Sequence, residues 1–144
     1  MRAGSACLLA GSMLCTLGCA GSEPQLAEVS GTVQLDGTPI EEGSIQFIPV
    51  EGAKGPGAGG VITHGKYHIT RDKGVTVGKN RVELRAFRKT GRRVIDATGP
   101  PGTTTDERVQ AFPAEYNDRS TVVEEIQPGS NTIHFNAETR PKGK

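Results

Sequence analysis

The segment VQLDGTPIEEGSIQFIPV, residues 33–50, decides the expected fold of this chain. Apolar and polar residues alternate on both sides of Asp36-Gly37, a dipeptide favoured in tight turns between antiparallel strands. The carboxylates of Asp36, Glu41 and Glu42 surround the turn, which raises the question of a metal site. Calcium needs about six to eight converging oxygens, and Glu41 and Glu42 point to opposite faces of an extended chain. The segment therefore predicts a strand, a turn and a second strand, with no metal.

The rest of the chain repeats this pattern from Glu28 onward. Val, Ile and Thr are common and Leu is rare, a composition that suits the pleated surface of a sheet. Turn residues recur about every 8 to 12 positions, as in a sandwich of two sheets. The expected fold is all-β, with roughly seven strands in an antiparallel β-sandwich over residues 28–137. The residues expected to face inward include Val29, Val33, Ile45, Phe47, Val82 and Leu84.

Two further hairpins and one long loop are expected. GGVIT and KYHIT should pair around His64-Gly65, and STVVEEI should pair with NTIHFNA across residues 127–130. Residues 89–117 are polar, contain three prolines and show little periodicity, which predicts a long loop. Phe112 and Tyr116 are expected to pack that loop against the sandwich. Residues 138–144 are expected to form a disordered tail.

The first 18 residues have the outline of a bacterial export signal. Arg2 precedes a stretch of small and apolar residues that ends at Gly18. TLGC, residues 16–19, resembles the lipobox of bacterial lipoproteins, although that family usually has Leu where this chain has Thr16. The resemblance implies cleavage before Cys19 and lipid modification of its thiol, and residues 19–27 then form a flexible tether. All three cysteines lie at or before position 19, so no disulfide or thiolate site is expected in the domain.

A second resemblance covers most of the remaining chain. VSGTVQLDGTPIEEGSIQFIP, GKYHIT, VGKNRVELRA and FPAEYNDRSTVVEEIQPGSNTIHFNA follow one another in this order. They resemble small lipoproteins of planctomycete bacteria whose domain is a transthyretin-like or carboxypeptidase regulatory-like β-sandwich. Val77 and Asn80 depart from that pattern, which usually has Pro and Tyr at these places. The resemblance implies a non-catalytic surface module.

The residues that usually carry catalysis lack a catalytic pattern. Gly65 separates His64 from His68 at an expected turn, and His134 lies in the last expected strand. Together with Tyr67 and Tyr116, these histidines do not have the spacing of the iron site in sandwich-fold intradiol dioxygenases. The ending TRPKGK also differs from the Y-R-G-S of hydroxyisourate hydrolase, and no serine lies in a G-x-S-x-G motif. We expect no catalytic residue, metal or cofactor, with a small envelope hydrolase or metal-dependent enzyme as the alternative.

One basic cluster stands out as a candidate polyanion-binding site. It consists of Arg88, Lys89, Arg92 and Arg93. Three acidic residues follow in the same segment and are expected to neutralise it: Asp96, Asp106 and Glu107. The chain has 17 Lys and Arg against 16 Asp and Glu, and without the signal the two totals are equal. This neutral balance argues against nucleic acid as a partner.

The expected function is that of an exported, lipid-anchored module with a structural or binding role at the cell envelope. Its expected partners are the membrane, through the N-terminal lipid, and an envelope protein or polysaccharide. Ala20 stands where many lipoproteins retained at the inner membrane have Asp, which favours the outer membrane. Besides the enzyme, the alternative is a polyanion- or glycan-binding surface protein that uses the basic segment 88–93.

Overall fold

The computed structural model describes residues 23–139, and these residues are almost entirely strands and turns. The strands are β1 Leu26–Leu35, β2 Thr38–Pro39, β3 Glu42–Pro49, β4 Ala58–Thr63, β5 Lys66–Ile69, β6 Val75–Thr76, β7 Gly78–Arg85, β8 Phe87–Ile95, β9 Thr104–Gln110, β10 Val123–Ile126, β11 Ser130–Thr132 and β12 Phe135–Ala137. Two short 3-10 turns, Arg71–Lys73 and Ala114–Tyr116, complete the described elements. Within this part of the chain, no helix is long and apolar enough to cross a membrane.

Most strands belong to one sheet that curls into a half-barrel. Its path runs β10-β7-β3-β4-β5-β1-β11, and β2, β6 and β12 pair with β1 off this path. β8 and β9 form a separate two-stranded sheet. The all-β prediction is confirmed. Pairing is mainly antiparallel as predicted, but β11 and β12 run parallel to β1.

The concave side of the half-barrel holds the hydrophobic core. All six residues predicted to face inward are buried, because every second side chain of a strand points to the same face. Three aromatic rings meet in the core, with centroids 6.2–6.5 Å apart: Phe47, Tyr67 and Phe135. Tyr67 donates its hydroxyl hydrogen to the carbonyl oxygen of Ile133 at 2.9 Å, and burial raises the pKa of this phenol.

Two predicted turns are confirmed by their backbone angles. Asp36 and Gly37 have φ values of 51° and 79°, and His64 and Gly65 have 48° and 72°. Positive φ at both central residues gives the turn whose twist matches that of the flanking strands. The second turn joins β4 to β5, whose pairing starts at Thr63 and Lys66. The first turn joins β1 only to the two-residue β2, and β3 pairs with β4 and β7 instead.

Three predictions about the course of the chain are wrong. The two segments around residues 127–130 do not form a hairpin, since β10 pairs with β7 while β11 and β12 pair with β1. The segment 89–117 is not one long loop, because most of it belongs to the β8–β9 hairpin. The last residues of the expected tether, Leu26 and Ala27, lie in β1, and Ala27 is fully buried. The signal segment, Cys19 and residues 140–144 lie outside the described residues.

Between β11 and β12, which both run parallel to β1, the backbone at Ile133 approaches Gly31 of β1 closely. A Cβ atom at this position would lie 1.7 Å from the carbonyl oxygen of Ile133, which is backbone and cannot move aside. Two hydrogen bonds from or to β1 hold Ile133 and His134 in place. Ile133 N donates to Ser30 O at 2.9 Å, and Thr32 N donates to Nδ1 of His134 at 3.2 Å.

Replacing Gly31 by Ala should therefore destabilise the protein strongly. We expect a loss of at least about 3 kcal/mol in the free energy of unfolding, the upper part of the range for overpacking. The measurement is chemical denaturation of the full chain. Gly57→Ala is the matched control, because its added methyl would meet one atom within 4 Å, the Phe47 carbonyl oxygen at 3.2 Å. Equal losses in the two variants would contradict the role assigned to Gly31.

Candidate binding groove

A groove opens where the pairing between β3 and β7 stops. The last pair in register is Ser44 with Arg85. Beyond Arg85 the chain continues into β8, which pairs with β9 and no longer with β3. The space left between the start of β3 and the base of the β8–β9 hairpin is a groove of about 540 Å³.

The side chain of Gln110 holds the hairpin base beside this groove. Its Oε1 accepts hydrogen bonds from Ala86 N at 3.0 Å and from Phe112 N at 3.3 Å. Ala111 N donates to the carbonyl oxygen of Ala86 at 2.8 Å. Phe112 is buried in the core, as predicted, and its carbonyl oxygen accepts a hydrogen bond from Asn117 Nδ2 at 3.0 Å. These contacts fix the start of β8 and the end of β9 to the main sheet.

The floor of the groove is apolar. Its members come from the end of β1, the β2–β3 connection and the hairpin base: Leu35, Ile40, Ala86, Phe87 and Ala111. Phe87 is 63% exposed, although a phenyl ring gains free energy when it is removed from water. An exposed aromatic ring in a concave surface is typical of ligand sites, where apolar linings surround a few polar groups.

One wall of the groove is acidic. It is formed by Glu41 and Glu42, with His64 beside them. Oε2 of Glu41 lies 2.8 Å from Nδ1 of His64, and both side chains are exposed. Glu42 makes no ion pair with any residue between positions 23 and 139. Two of the three carboxylates in the opening segment therefore line the groove, and they do not converge on a metal.

The opposite wall is basic. It is formed by Arg88, Lys89 and Arg108. Lys89 Nζ is paired with Asp106 Oδ2 at 2.7 Å. Arg88 and Arg108 have no ion pair in the described part of the chain. The groove thus has carboxylates on one side and cations on the other.

The structure separates the four members of the basic cluster. Arg88 and Lys89 line the groove, whereas Arg92 and Arg93 do not. Arg93 Nη1 lies 3.5 Å from Asp106 Oδ1, and its guanidinium also donates to Thr104. The hydrogen bond from Lys89 is the main cause that lowers the pKa of Asp106. Asp106 therefore neutralises two of the four cations.

The other two acidic residues of this segment have local roles. Asp96 accepts hydrogen bonds from the backbone N and the hydroxyl of Thr98, which lower the pKa of Asp96. These bonds shape the turn between β8 and β9. Glu107 accepts a hydrogen bond from the Thr90 hydroxyl at 2.6 Å. Neither side chain pairs with the basic cluster.

His64 lies in the wall of the groove, whereas His68 and His134 line a second groove of about 480 Å³ together with Tyr67. Besides the His64 pair, His68 Nε2 lies 2.9 Å from Glu28 Oε1, and His134 Nδ1 lies 2.9 Å from the Thr32 hydroxyl. Tyr67 is bonded inside the core, and Tyr116 is half-buried near Glu138. Between residues 23 and 139, no three His, Cys, Asp or Glu side chains are placed to hold a metal ion together.

Three residues of the hairpin base have no role in the sequence prediction: Phe87 and Arg108, which line the groove, and Gln110, which holds the hairpin base beside it. A signal for their placement was present. Arg93-Val94-Ile95 and Thr103-Thr104-Thr105 are runs of β-formers that flank the turn residues Gly99-Pro100-Pro101-Gly102. This pattern is typical of a hairpin. In the structure the hairpin pairs Phe87 with Gln110 and Lys89 with Arg108.

Comparison with known proteins gives no relative from which a function could be transferred. No protein-family model, no curated protein and no solved structure matches this chain. The function is therefore argued from the groove and from the sequence.

The pairing of Asp106 with Lys89 and Arg93 makes a prediction about anionic ligands. Asp106→Asn should release both cations and raise retention of the full chain on a heparin column, because the released charges can contact sulfates. The salt concentration for elution is the measurement. Asp72→Asn is the control, since Asp72 carries the same exposed charge on the 3-10 turn Arg71–Lys73 and lies outside the groove. Equal shifts for both variants would show that only net charge matters.

Proposed function

We propose that this protein is an exported, lipid-anchored, non-catalytic module that binds a ligand at the cell envelope. Its fold is proposed to be a β-sandwich of the transthyretin-like or carboxypeptidase regulatory-like type. The all-β structure and the TLGC segment at residues 16–19 support this proposal. Ala20 supports the outer membrane as the location of the anchor.

The observation that carries the proposal is the position of the groove. β1 begins at Leu26, which pairs with Thr76, and ends at Leu35 in the groove floor. Ten residues of strand extend roughly 30 Å. A domain anchored through Cys19 would carry its groove at the pole opposite the point where the tether enters. That pole is suited to contacts with envelope molecules rather than with the anchoring membrane.

The chemistry of the groove supports binding rather than catalysis. Its exposed ring and charged walls provide recognition groups. Each histidine contacts a different neighbouring side chain, and the groove lining includes no Ser, Cys or Tyr that could act as a nucleophile beside a base. Binding of a polyanion is a second candidate, favoured by the convergence of Arg88, Lys89 and Arg108 on one wall. The acidic wall opposite opposes it.

Replacing Cys19 by Ser should release the protein from membranes. We expect the wild type to sediment with membranes and to incorporate a clickable fatty-acid analogue, and C19S to do neither, because a serine cannot be acylated through a thiol. Cys15→Ser is the matched control, since this cysteine precedes the proposed cleavage point and should behave as the wild type. A soluble wild type, or equal loss in C15S, would contradict anchoring through Cys19.

Hydrogen exchange tests the binding role of the same protein. When a solubilised envelope extract is added to the full chain in detergent, exchange should slow at residues 40–42 and 86–89, which line the groove. β10 is the internal control, because it pairs with residues 78–81 of β7, away from Arg85 where the groove opens, and none of its residues lines the groove. Uniform protection, or protection of β10 alone, would contradict binding in the groove.

A further inference from the structure

We propose that the groove binds a short peptide segment that carries both a cationic amine and a carboxylate. This inference rests on the proposed binding role and names the class of ligand. It follows from the arrangement of charge on the two walls and from the apolar floor between them.

The two walls derive from positions that would face each other in a continuous sheet. The register of β3 and β7 pairs Ser44 with Arg85. Continued by two and three residues, it would place Glu42 opposite Phe87 and Glu41 opposite Arg88. The strands diverge instead, so a ligand that lies across the groove meets a carboxylate on one side and a guanidinium on the other.

Three of the wall charges are free of ion pairs with other described residues: Glu42, Arg88 and Arg108. A ligand of one sign would be attracted by one wall and repelled by the other, so the groove selects against polyanions and polycations. A ligand with both signs satisfies both walls. The floor, with Leu35, Ile40 and the Phe87 ring, accepts aliphatic groups between the charges.

A peptide fits these demands better than a zwitterionic lipid surface. Peptides combine amines, carboxylates and short aliphatic side chains at spacings of about 3.3 Å per residue. A lipid surface would have to reach the pole of β1 that lies opposite the proposed tether. The peptide is therefore the ligand we infer, and the lipid is an outcome that the experiment can detect.

The experiment uses the full chain in detergent and peptides blocked at both ends. In one series, Lys and Glu are separated by one, two or three Ala or Leu residues. Two matched series replace Glu by Gln or Lys by Met. We expect the best two-charge peptide to bind about tenfold more tightly than either single-charge analogue in fluorescence anisotropy, because each wall contributes a charge-assisted contact.

Variants of the two walls give the sharper test. Glu42→Gln should weaken binding of the two-charge peptide and not that of the Glu-only peptide, which it should bind slightly more tightly because a like charge is removed. Arg88→Gln should weaken binding of the two-charge peptide and not that of the Lys-only peptide, for the same reason. Glu125→Gln is the control, because this residue of β10 lies outside the groove and should change nothing.

The same variants show which results overturn the inference. If heparin protects the groove of the wild type better than any peptide does, the ligand is a polyanion. If vesicles of phosphatidylethanolamine protect residues 86–89 and the peptides do not, the ligand is a lipid surface. If two-charge and single-charge peptides bind equally, binding does not depend on the charges of both walls, and the inference is wrong. If an envelope extract protects the groove from exchange while no peptide binds, the peptide inference is wrong and the proposed binding function is not contradicted.

Discussion

The close approach of the Ile133 carbonyl group to Gly31 is the constraint on which the rest of the structure depends. It allows the chain to run beside β1 as β11, interrupt its pairing at Ile133 and continue beside β1 as β12 in the same parallel register. Tyr67 donates its hydroxyl hydrogen to the same carbonyl oxygen, so the core is bonded to this interruption. Because β1 is paired along both edges in this way, it can extend as one strand of ten residues from the chain entry to the groove. A side chain at position 31 would force β1 away from the backbone at Ile133.

The sequence predicts the core well because the period of a strand is local. Val29, Ile45 and Phe47 are buried as expected, and both predicted turns have positive φ values. The same period does not tell which strand lies next to which. β11 and β1 are about a hundred residues apart along the chain and run parallel, whereas proximity along the chain favoured a hairpin with β10. The alternation of buried and exposed residues is compatible with pairing to β10 or to β1, and the prediction chose β10 because it is nearer in sequence.

The β8–β9 hairpin was missed for a different physical reason. Eight of the nine residues of β8 are exposed, because this two-stranded ribbon stands outside the half-barrel and buries neither face. A strand without a buried face has no need of alternating apolar residues, so the periodicity that reveals core strands is missing. Its turn chemistry remained as a signal, in Gly99 to Gly102 and in the Thr98 contact to Asp96. Strands of this kind are better recognised from their turns than from their periodicity.

The candidate site differs most from the sequence reading in how its charges are grouped. Arg88, Lys89, Arg92 and Arg93 are close in sequence, yet alternation and a bulge within β8 leave Arg92 and Arg93 out of the groove, and the pairing with Asp106 occupies Lys89 and Arg93. Glu41 and Glu42, some 46 residues before Arg88 and Lys89, form the facing wall because the register of β3 and β7 brings both segments to the same end of the sheet. Had that pairing continued past Arg85, Arg88 would have faced Glu41 and could have formed a cross-strand ion pair, as the side chains of paired strands do. The divergence of the two strands leaves Arg88 without that partner. Because Glu42 also has no ion pair among the described residues, the groove offers two opposite charges to a ligand that can bridge them.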